Sequence, residues 1–264
     1  MWFQFEPVTS YLTRIKMPYV CAYYLEGSKQ GLLIDTGWGV GDLKKELDLY
    51  AKKPYQVVLS HGHCDHGGGA GQFEEVYLSS KDKELETYSC SLAVRQEIYQ
   101  SVTPYDNNHS QWLPQKQKGF LPLMDDQVFD LGGITVRVTS FPGHTSGSMA
   151  FWIERDQILI TGDACSNPTL LNLDSSTDVE TFLQASKNVH AKYPSIKRLF
   201  TSHKDFEEEP EILEESIRLA ELILQDRDDR YPLKNKNGKQ SYAALNKKLT
   251  KGLLSTNIIY RLDK

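Results

Sequence analysis

A chain of 264 residues with 39% hydrophobic and 25% charged residues, its Gly and Pro spread along its length, carries enough apolar material for a sizeable core, which excludes disordered and collagen-like classes. A formal net charge of −5 argues against a general affinity for nucleic acid. No run of eighteen apolar residues marks a membrane span, and residues 1–17 interleave Glu6, Arg14 and Lys16 with apolar residues rather than forming a secretory segment. The four cysteines, Cys21, Cys64, Cys90 and Cys165, are too scattered for a disulfide scaffold, so the expectation is a cytoplasmic protein with reduced thiols. Sheet-rich folds often reach this length as one unit, and residues 1–264 read as a single domain.

In chain order, Tyr19–Leu25 and Gly31–Asp35 flank a Gly-Ser-Lys-Gln turn as a β-hairpin. A short helix from about Asp42 sets Leu43, Leu47 and Tyr50 on one face, and the apolar strand Gln56–Ser60 delivers the chain to His61. Val76–Leu78 reads as a strand, and Ser79 or Ser80 caps a predicted helix running to about Val102. Residues 79–123 read as a helical and irregular insertion, and the pattern fails between Thr103 and Leu123, so that 103–123, with Tyr105, Trp112 and Phe120 as candidate substrate-binding residues, is expected to form one lid-like wall of the substrate pocket. Ile134–Phe141 alternates as a half-buried strand ending at His144, and a hairpin of Ser148–Ile153 and Gln157–Ile160 leads into Thr161-Gly162-Asp163. Thr177-Asp-Val-Glu180 fits a capping box, Ile196–Thr201 is a strand ending at His203, and a helix opened by Pro210 carries an apolar stripe of Ile212, Leu213, Ile217, Ala220 and Leu224.

Residues 207–229 hold ten acids against two bases, and 230–264 hold nine bases against one acid; the two segments are expected to lie near each other on one surface. The basic extension at about 230–264 reads as a helix near Ser241–Lys251 followed by a strand at Ile258–Tyr260. Leu33–Gly37 and Leu159–Asp163 are similar enough to hint at two related β-rich halves.

Within six positions, His61-Gly-His63-Cys-Asp65-His66 offers three imidazoles and a carboxylate, followed by Gly67-Gly-Gly69. Borderline cations such as Zn²⁺ favour this mixture of nitrogen and oxygen donors. His61 and His63, two apart, project to one side of an extended segment, while Asp65 and His66 turn to a second position nearby. His144, Asp163 and His203 also sit just past predicted strand ends, where sites converge; His109 and His190 do not.

These motifs resemble the metallo-β-lactamase superfamily. Its His-x-His-x-Asp-His signature is matched at 61–66, and Gly143-His144, Gly162-Asp163, Ser202-His203 and the upstream Asp35-Thr-Gly37 follow in order, over roughly residues 20–205. The resemblance implies a mixed α/β fold, a four-layer αβ/βα sandwich with a metal site at one edge. It implies two divalent ions, zinc foremost with iron or manganese as alternatives. His61, His63 and His144 would hold one ion, Asp65, His66 and His203 the other, with Asp163 bridging them and Asp35 orienting a ligand histidine. Asp65 is the candidate catalytic proton shuttle.

The expected function is a metal-dependent hydrolase that uses a metal-bridging hydroxide to cleave an ester, thioester, lactone or related bond in a small molecule. Cys64 and Cys165 read as non-ligands, because seven better-matched residues fill the set. Ser166 stands where related lactone-cleaving enzymes place a tyrosine, and the tail shows no glutathione-holding helical domain of the glyoxalase II kind. A mononuclear iron oxidoreductase resembling persulfide dioxygenases and a nucleic-acid-processing phosphodiesterase are the alternatives, the second with only the short basic tail to support it.

Overall fold

The structure, a computed structural model, describes residues 2–103, 112–204, 206–234, 239–245 and 256–264. The first sheet takes its strands in chain order: β1 (Gln4–Pro7), β2 (Leu12–Met17), β3 (Val20–Glu26), β4 (Gly31–Ile34), β5 (Tyr55–Val58), β6 (Tyr77–Leu78) and β7 (Leu121–Pro122). Its pairs are antiparallel as far as β4 and parallel from β4 to β7. The parallel connections run through α1 (Leu43–Tyr50), the short α2 (Cys64–Gly67), and α3 (Lys83–Ser89) and α4 (Leu92–Val102).

The second sheet is built from β8 (Val128–Asp130), β9 (Thr135–Ser140), β10 (Met149–Ile153) and β11 (Ile158–Gly162), then, beyond the two-residue β12 (Thr169–Leu170), from β13 (Arg198–Thr201) and β14 (Glu207–Glu208), in the order β14-β13-β11-β10-β9-β8. Only β11 and β13 run parallel, joined through α5 (Val179–Lys192). After α6 (Ile212–Leu224), β15 (Tyr231–Lys234), β16 (Gln240–Leu245) and β17 (Thr256–Tyr260) join β12 in a third sheet of order β12-β17-β16-β15.

Period-two alternation sorts the strand residues into layers. On β4, Leu32 and Ile34 face a core shared with Val138, Phe151, Ile160 and Phe200 of the second sheet, while Leu33 faces outward onto Leu43 and Leu47 of α1. On β10, Phe151 and Ile153 point into the same shared core, and Trp152 points out to the layer of α5, α6 and the third sheet. The result is the αβ/βα sandwich, each fully buried Leu, Ile or Phe stabilising it by about 1.5–3 kcal/mol. The similarity of 33–37 to 159–163 has a structural counterpart: β4 and β11 each pair in parallel with the strand, β5 or β13, that runs out towards a site histidine.

Several expectations are corrected. The helix expected from Ser79 or Ser80 to Val102 is broken at Cys90 and Ser91, where Cys90 is fully buried beside Gly67 and Ser91 takes an extended N-cap conformation; tertiary packing overrides an uninterrupted helical sequence. The α5 cap is Asp178, whose side chain accepts from the Thr181 N–H, rather than Thr177. The buried stripe of α6 is Ile212, Leu213, Ser216, Leu219, Ala220 and Ile223, leaving Leu224 half exposed. The helix expected from Ser241 is strand β16, because Ser241 and Ala243 are buried at period two between β15 and β17; residues 246–251 lie outside the described residues. Residues 4–17, read only for what they lack, form the first two strands. The acidic and basic segments lie side by side, β16 and β17 packing against α6, but the pairing of Arg230 with Asp226 and Asp228 is local to their boundary, and Arg261 and Lys239 pair with Asp174 instead.

Candidate metal centre

The strand ends carry the polar cluster to one edge of the sandwich. Past β5, His63 is the N-cap of α2, in extended conformation, and α2 carries Asp65 and His66, the His66 ring centroid standing 4.1 Å from that of His61. Asp35, just past β4, adopts φ 68°, a left-handed conformation that Asp tolerates better than most residues. Its carboxylate accepts from the Ser60 N–H at 2.7 Å and the Ser60 hydroxyl at 2.8 Å, and stands 2.9 Å from His66 Nδ1. The Ser60 hydroxyl is in turn 3.0 Å from His61 Nδ1. One buried carboxylate therefore holds two imidazoles, one directly and one through serine.

The other rings are held in the same way. His144 Nδ1 faces the Leu170 carbonyl at 3.0 Å, His203 Nδ1 the Tyr19 carbonyl at 2.7 Å, and His63 Nε2 the Ser175 hydroxyl at 2.9 Å. Every ring thus spends one nitrogen on an anchor and turns the other inward. Inward, His63 Nδ1 lies 3.1 Å from His61 Nε2 and 3.0 Å from His144 Nε2. Asp163 Oδ2 lies 3.2 Å from His203 Nε2 and 3.6 Å from both His66 Nε2 and His144 Nε2, and Asp65 Oδ2 lies 3.2 Å from His203 Nε2.

Three groups of potential ligand atoms result, each set within 4.8 Å: His61, His63 and His144; His61, His66 and Asp163; and Asp65, His66 and His203. Buried His66 Nε2 and Asp163 Oδ1 have no hydrogen-bond partner. An orphaned imidazole nitrogen beside an orphaned carboxylate oxygen is costly unless a cation satisfies both. Nitrogens about 2.0–2.1 Å from a tetrahedral ion stand roughly 3.3 Å apart, close to the spacings among His61, His63 and His144. The donor set fits divalent metal.

Charge follows the same division. Burial and neighbouring imidazoles push His63 down to about 3 and His61 well below the usual histidine range, and burial lowers His144 too, so all three are neutral donors. Burial opposes charge on His66, but Asp65, Asp163 and Asp35 outweigh it and lift that ring to about 10. Asp163 and Asp65 likewise overcome burial to raise His203. Asp65 resists burial through His66 and His203 and falls to about 2. In the metal-free protein, protons stand beside the carboxylates where cations would.

A cavity of about 930 Å³ opens over this cluster. Tyr19, His63, Asp65, His144, Asp163 and His203 form its floor. Leu85 and Tyr88 of α3 and Val94, Ile98 and Val102 of α4 form one wall, with Pro168, Leu170 and Leu173 opposite. Val94, Ile98 and Val102 are spaced i, i+4, i+8 and share one helix face. The other face buries Arg95 and Tyr99.

Of the residues singled out from sequence, His61, His63, Asp65, His66, His144, Asp163, His203 and Asp35 come together. Of the three aromatics expected in this wall, the two that are described lie elsewhere. Trp112 packs on Tyr99 and Arg95 behind α4, Phe120 lies beside Lys116 at the outer core of the first sheet, and neither lines the cavity. Tyr105 lies outside the described residues. Cys165 is buried against Ser216, and Cys64 reaches the cavity lining with its thiol pushed up to about 12 by burial. His190 pairs with Glu214 on the surface. Sequence reasoning missed Ser60, Ser175 and the carbonyls of Tyr19 and Leu170; it also passed over the i, i+4, i+8 spacing on α4, which was readable.

The sandwich and the edge cluster define a metallohydrolase class, and the chain belongs to the metallo-β-lactamase superfamily, whose profile matches residues 19–231. Among curated proteins it is similar to an acyl-coenzyme A thioesterase of Bos taurus, 28% identical over 173 residues, covering 57% of this chain and 60% of the relative. It is also similar to an atrochrysone carboxyl ACP thioesterase of Emericella nidulans, 28% identical over 145 residues, covering 53% of this chain and 38% of the relative. The chain thus spans under two thirds of the length of either. A metallo-β-lactamase from Pontibacter korlensis shares the fold, with TM-score 0.62 at 18% identity over 83% of this chain and 99% of that one. Among the described residues, no helix is long and apolar enough to cross a membrane.

Proposed function

We propose that this metallohydrolase is a thioesterase acting on acyl thioesters whose apolar acyl chain lies along α4. The observation that carries the reading is one cavity lined both by the apolar face of Val94, Ile98 and Val102 and by the imidazoles and carboxylates of the cluster. Such a cavity takes a molecule with a long apolar part and a polar reacting end, and its volume lies in the usual range for small-molecule sites. The thioesterase names among the relatives agree in chemical class.

In this reading His61, His63 and His144 would hold one divalent ion and Asp65, His66 and His203 a second, with Asp163, near His144, His66 and His203, available to both. Such ions, when bound, supply an activated water near neutral pH and polarise a carbonyl oxygen. The chain's own groups do the rest. Asp35, Ser60, Ser175 and the two backbone carbonyls fix which nitrogen each ring turns inward. Asp65 Oδ2, on the cavity floor and ionised, takes the proton released by the attacking water. The α4 face excludes bulk water and aligns the acyl chain with the floor.

A thiol has a pKa of about 8.5 and departs as thiolate without a strong general acid, which suits a cavity where Ser166 turns its hydroxyl onto the Pro168 carbonyl. The mouth mixes Lys81 and Lys204 with Glu84, Asp174 and Glu208, and so offers no continuous track for a polyanion. The test is a substrate panel on metal-loaded protein: acyl-coenzyme A thioesters of increasing length, lactones, aryl esters and phosphodiesters. Thioester hydrolysis that strengthens with chain length is expected. Phosphodiester cleavage without thioester cleavage would overturn the proposal.

A further inference from the structure

The loops that carry His61, His63 and His144 are joined by a side chain that touches none of those rings. Asp82, in the 3-10 turn Ser80–Asp82 between β6 and α3, is 1% exposed and accepts three hydrogen bonds. Its Oδ2 takes the Gly62 N–H at 2.9 Å and the Thr145 hydroxyl at 2.6 Å, and its Oδ1 takes the Gly147 N–H at 2.7 Å. Gly62 lies between His61 and His63, and Thr145 follows His144, so one carboxylate ties together two loops that are distant in sequence.

The approach is tight on both sides. A Cβ at Gly147 would stand 2.5 Å from the Asp82 carboxyl, and one at Gly62 would stand 2.8 Å from its carbonyl oxygen, so glycine is required at both positions. Thr145 is also aimed from its other side, its hydroxyl 2.8 Å from that of Ser148. The imidazoles on the joined loops are those whose inward nitrogens converge at 3.0 and 3.1 Å.

We propose that Asp82 is a positioning residue that sets the spacing of the His61, His63 and His144 imidazoles and thereby the metal affinity of that half of the centre. The inference rests on the metal-centre reading above. Losing the carboxylate would leave two buried N–H groups without acceptors, and the two loops would no longer be held in register. Asparagine preserves the shape but turns one acceptor into a donor that faces a donor.

The test compares the unsubstituted protein with Asp82→Asn and Thr145→Val, each loaded with cobalt(II) and titrated with a competing chelator while the absorption bands of the bound ion are followed. Asp82→Asn is expected to weaken one equivalent by about 10–100-fold and the other by no more than about threefold, with Thr145→Val intermediate, beside a fall of only a few degrees in the metal-free melting temperature from the buried N–H left facing a donor. Unchanged cobalt affinity in both variants would overturn the inference. Equal loss of both equivalents with a matching fall in metal-free melting temperature would do the same, making Asp82 a general support of the fold. If Asp82→Asn does not fold, Thr145→Val decides by the same two criteria. An unsubstituted protein that takes up no cobalt overturns the metal-centre reading and this inference with it.

Discussion

The floor and the wall of the cavity are held by different means. Each floor imidazole has a second polar anchor: Asp35, Ser60, Ser175, or the carbonyl of Leu170 or Tyr19. The wall has no such network. It is apolar side chains of α3 and α4 that reach the cavity, with Ile98 37% exposed and Tyr88 70% exposed, and α4 is supported from behind by Arg95, which donates to the carbonyls of Trp38, Gly68 and Leu113. The floor is built for fixed angles and the wall for apolar area, so damage to the floor should abolish chemistry while damage to the wall should change only which substrate is preferred.

The largest effect tests the floor. His61→Ala removes an inward nitrogen shared by two of the three ligand groups, and is expected to lower metal content and reduce kcat/KM at least about a hundredfold for every substrate, measured by elemental analysis and steady-state assay. A fully metallated, active variant would end the assignment.

A substitution in the wall should act selectively. Each acyl methylene buried against α4 contributes about 0.8 kcal/mol, so Ile98→Asp is expected to cut kcat/KM roughly tenfold for long acyl chains and to leave the shortest thioester nearly unaffected. A uniform fall across chain lengths would mean that the wall serves the floor rather than the substrate.

The same contrast explains what was legible in the sequence. The floor's inward groups come from a dense local motif and from residues immediately past strands, and both features survive in the linear pattern. Their anchors do not: a backbone carbonyl at Tyr19 or Leu170 has no side-chain signature, and Asp82 meets Thr145 only after the sheets have packed. Aromatic residues in an irregular stretch suggested the wall, but Trp112 and Phe120 found apolar neighbours elsewhere, while the i, i+4, i+8 spacing of Val94, Ile98 and Val102 on α4 was legible. The Ala-rich segment at 241–245 has helical propensity that sheet pairing on both sides overrides.

The smallest effect lies between the two regions. Glu86 of α3 is buried close to Gly67, and burial pushes its carboxyl up to about 7, against partial relief from Cys90 and Arg95. The folded state then binds the extra proton between the usual value near 4.5 and about 7, so this contribution to stability is fully present at acid pH and is lost as pH rises through about 7. Glu86→Gln is expected to raise the melting temperature of the metal-loaded protein at pH 8 and to make little difference at pH 5. An equal shift at both pH values would contradict the account.

The most direct test of the central claim is stepwise reconstitution. The protein is stripped by chelation, refilled with measured equivalents of zinc or manganese, and assayed at each step with a long-chain acyl-coenzyme A thioester. The account predicts no hydrolysis in the stripped protein and activity that climbs until two equivalents are bound. Full thioester hydrolysis by stripped protein, or none at any metal loading, would contradict it.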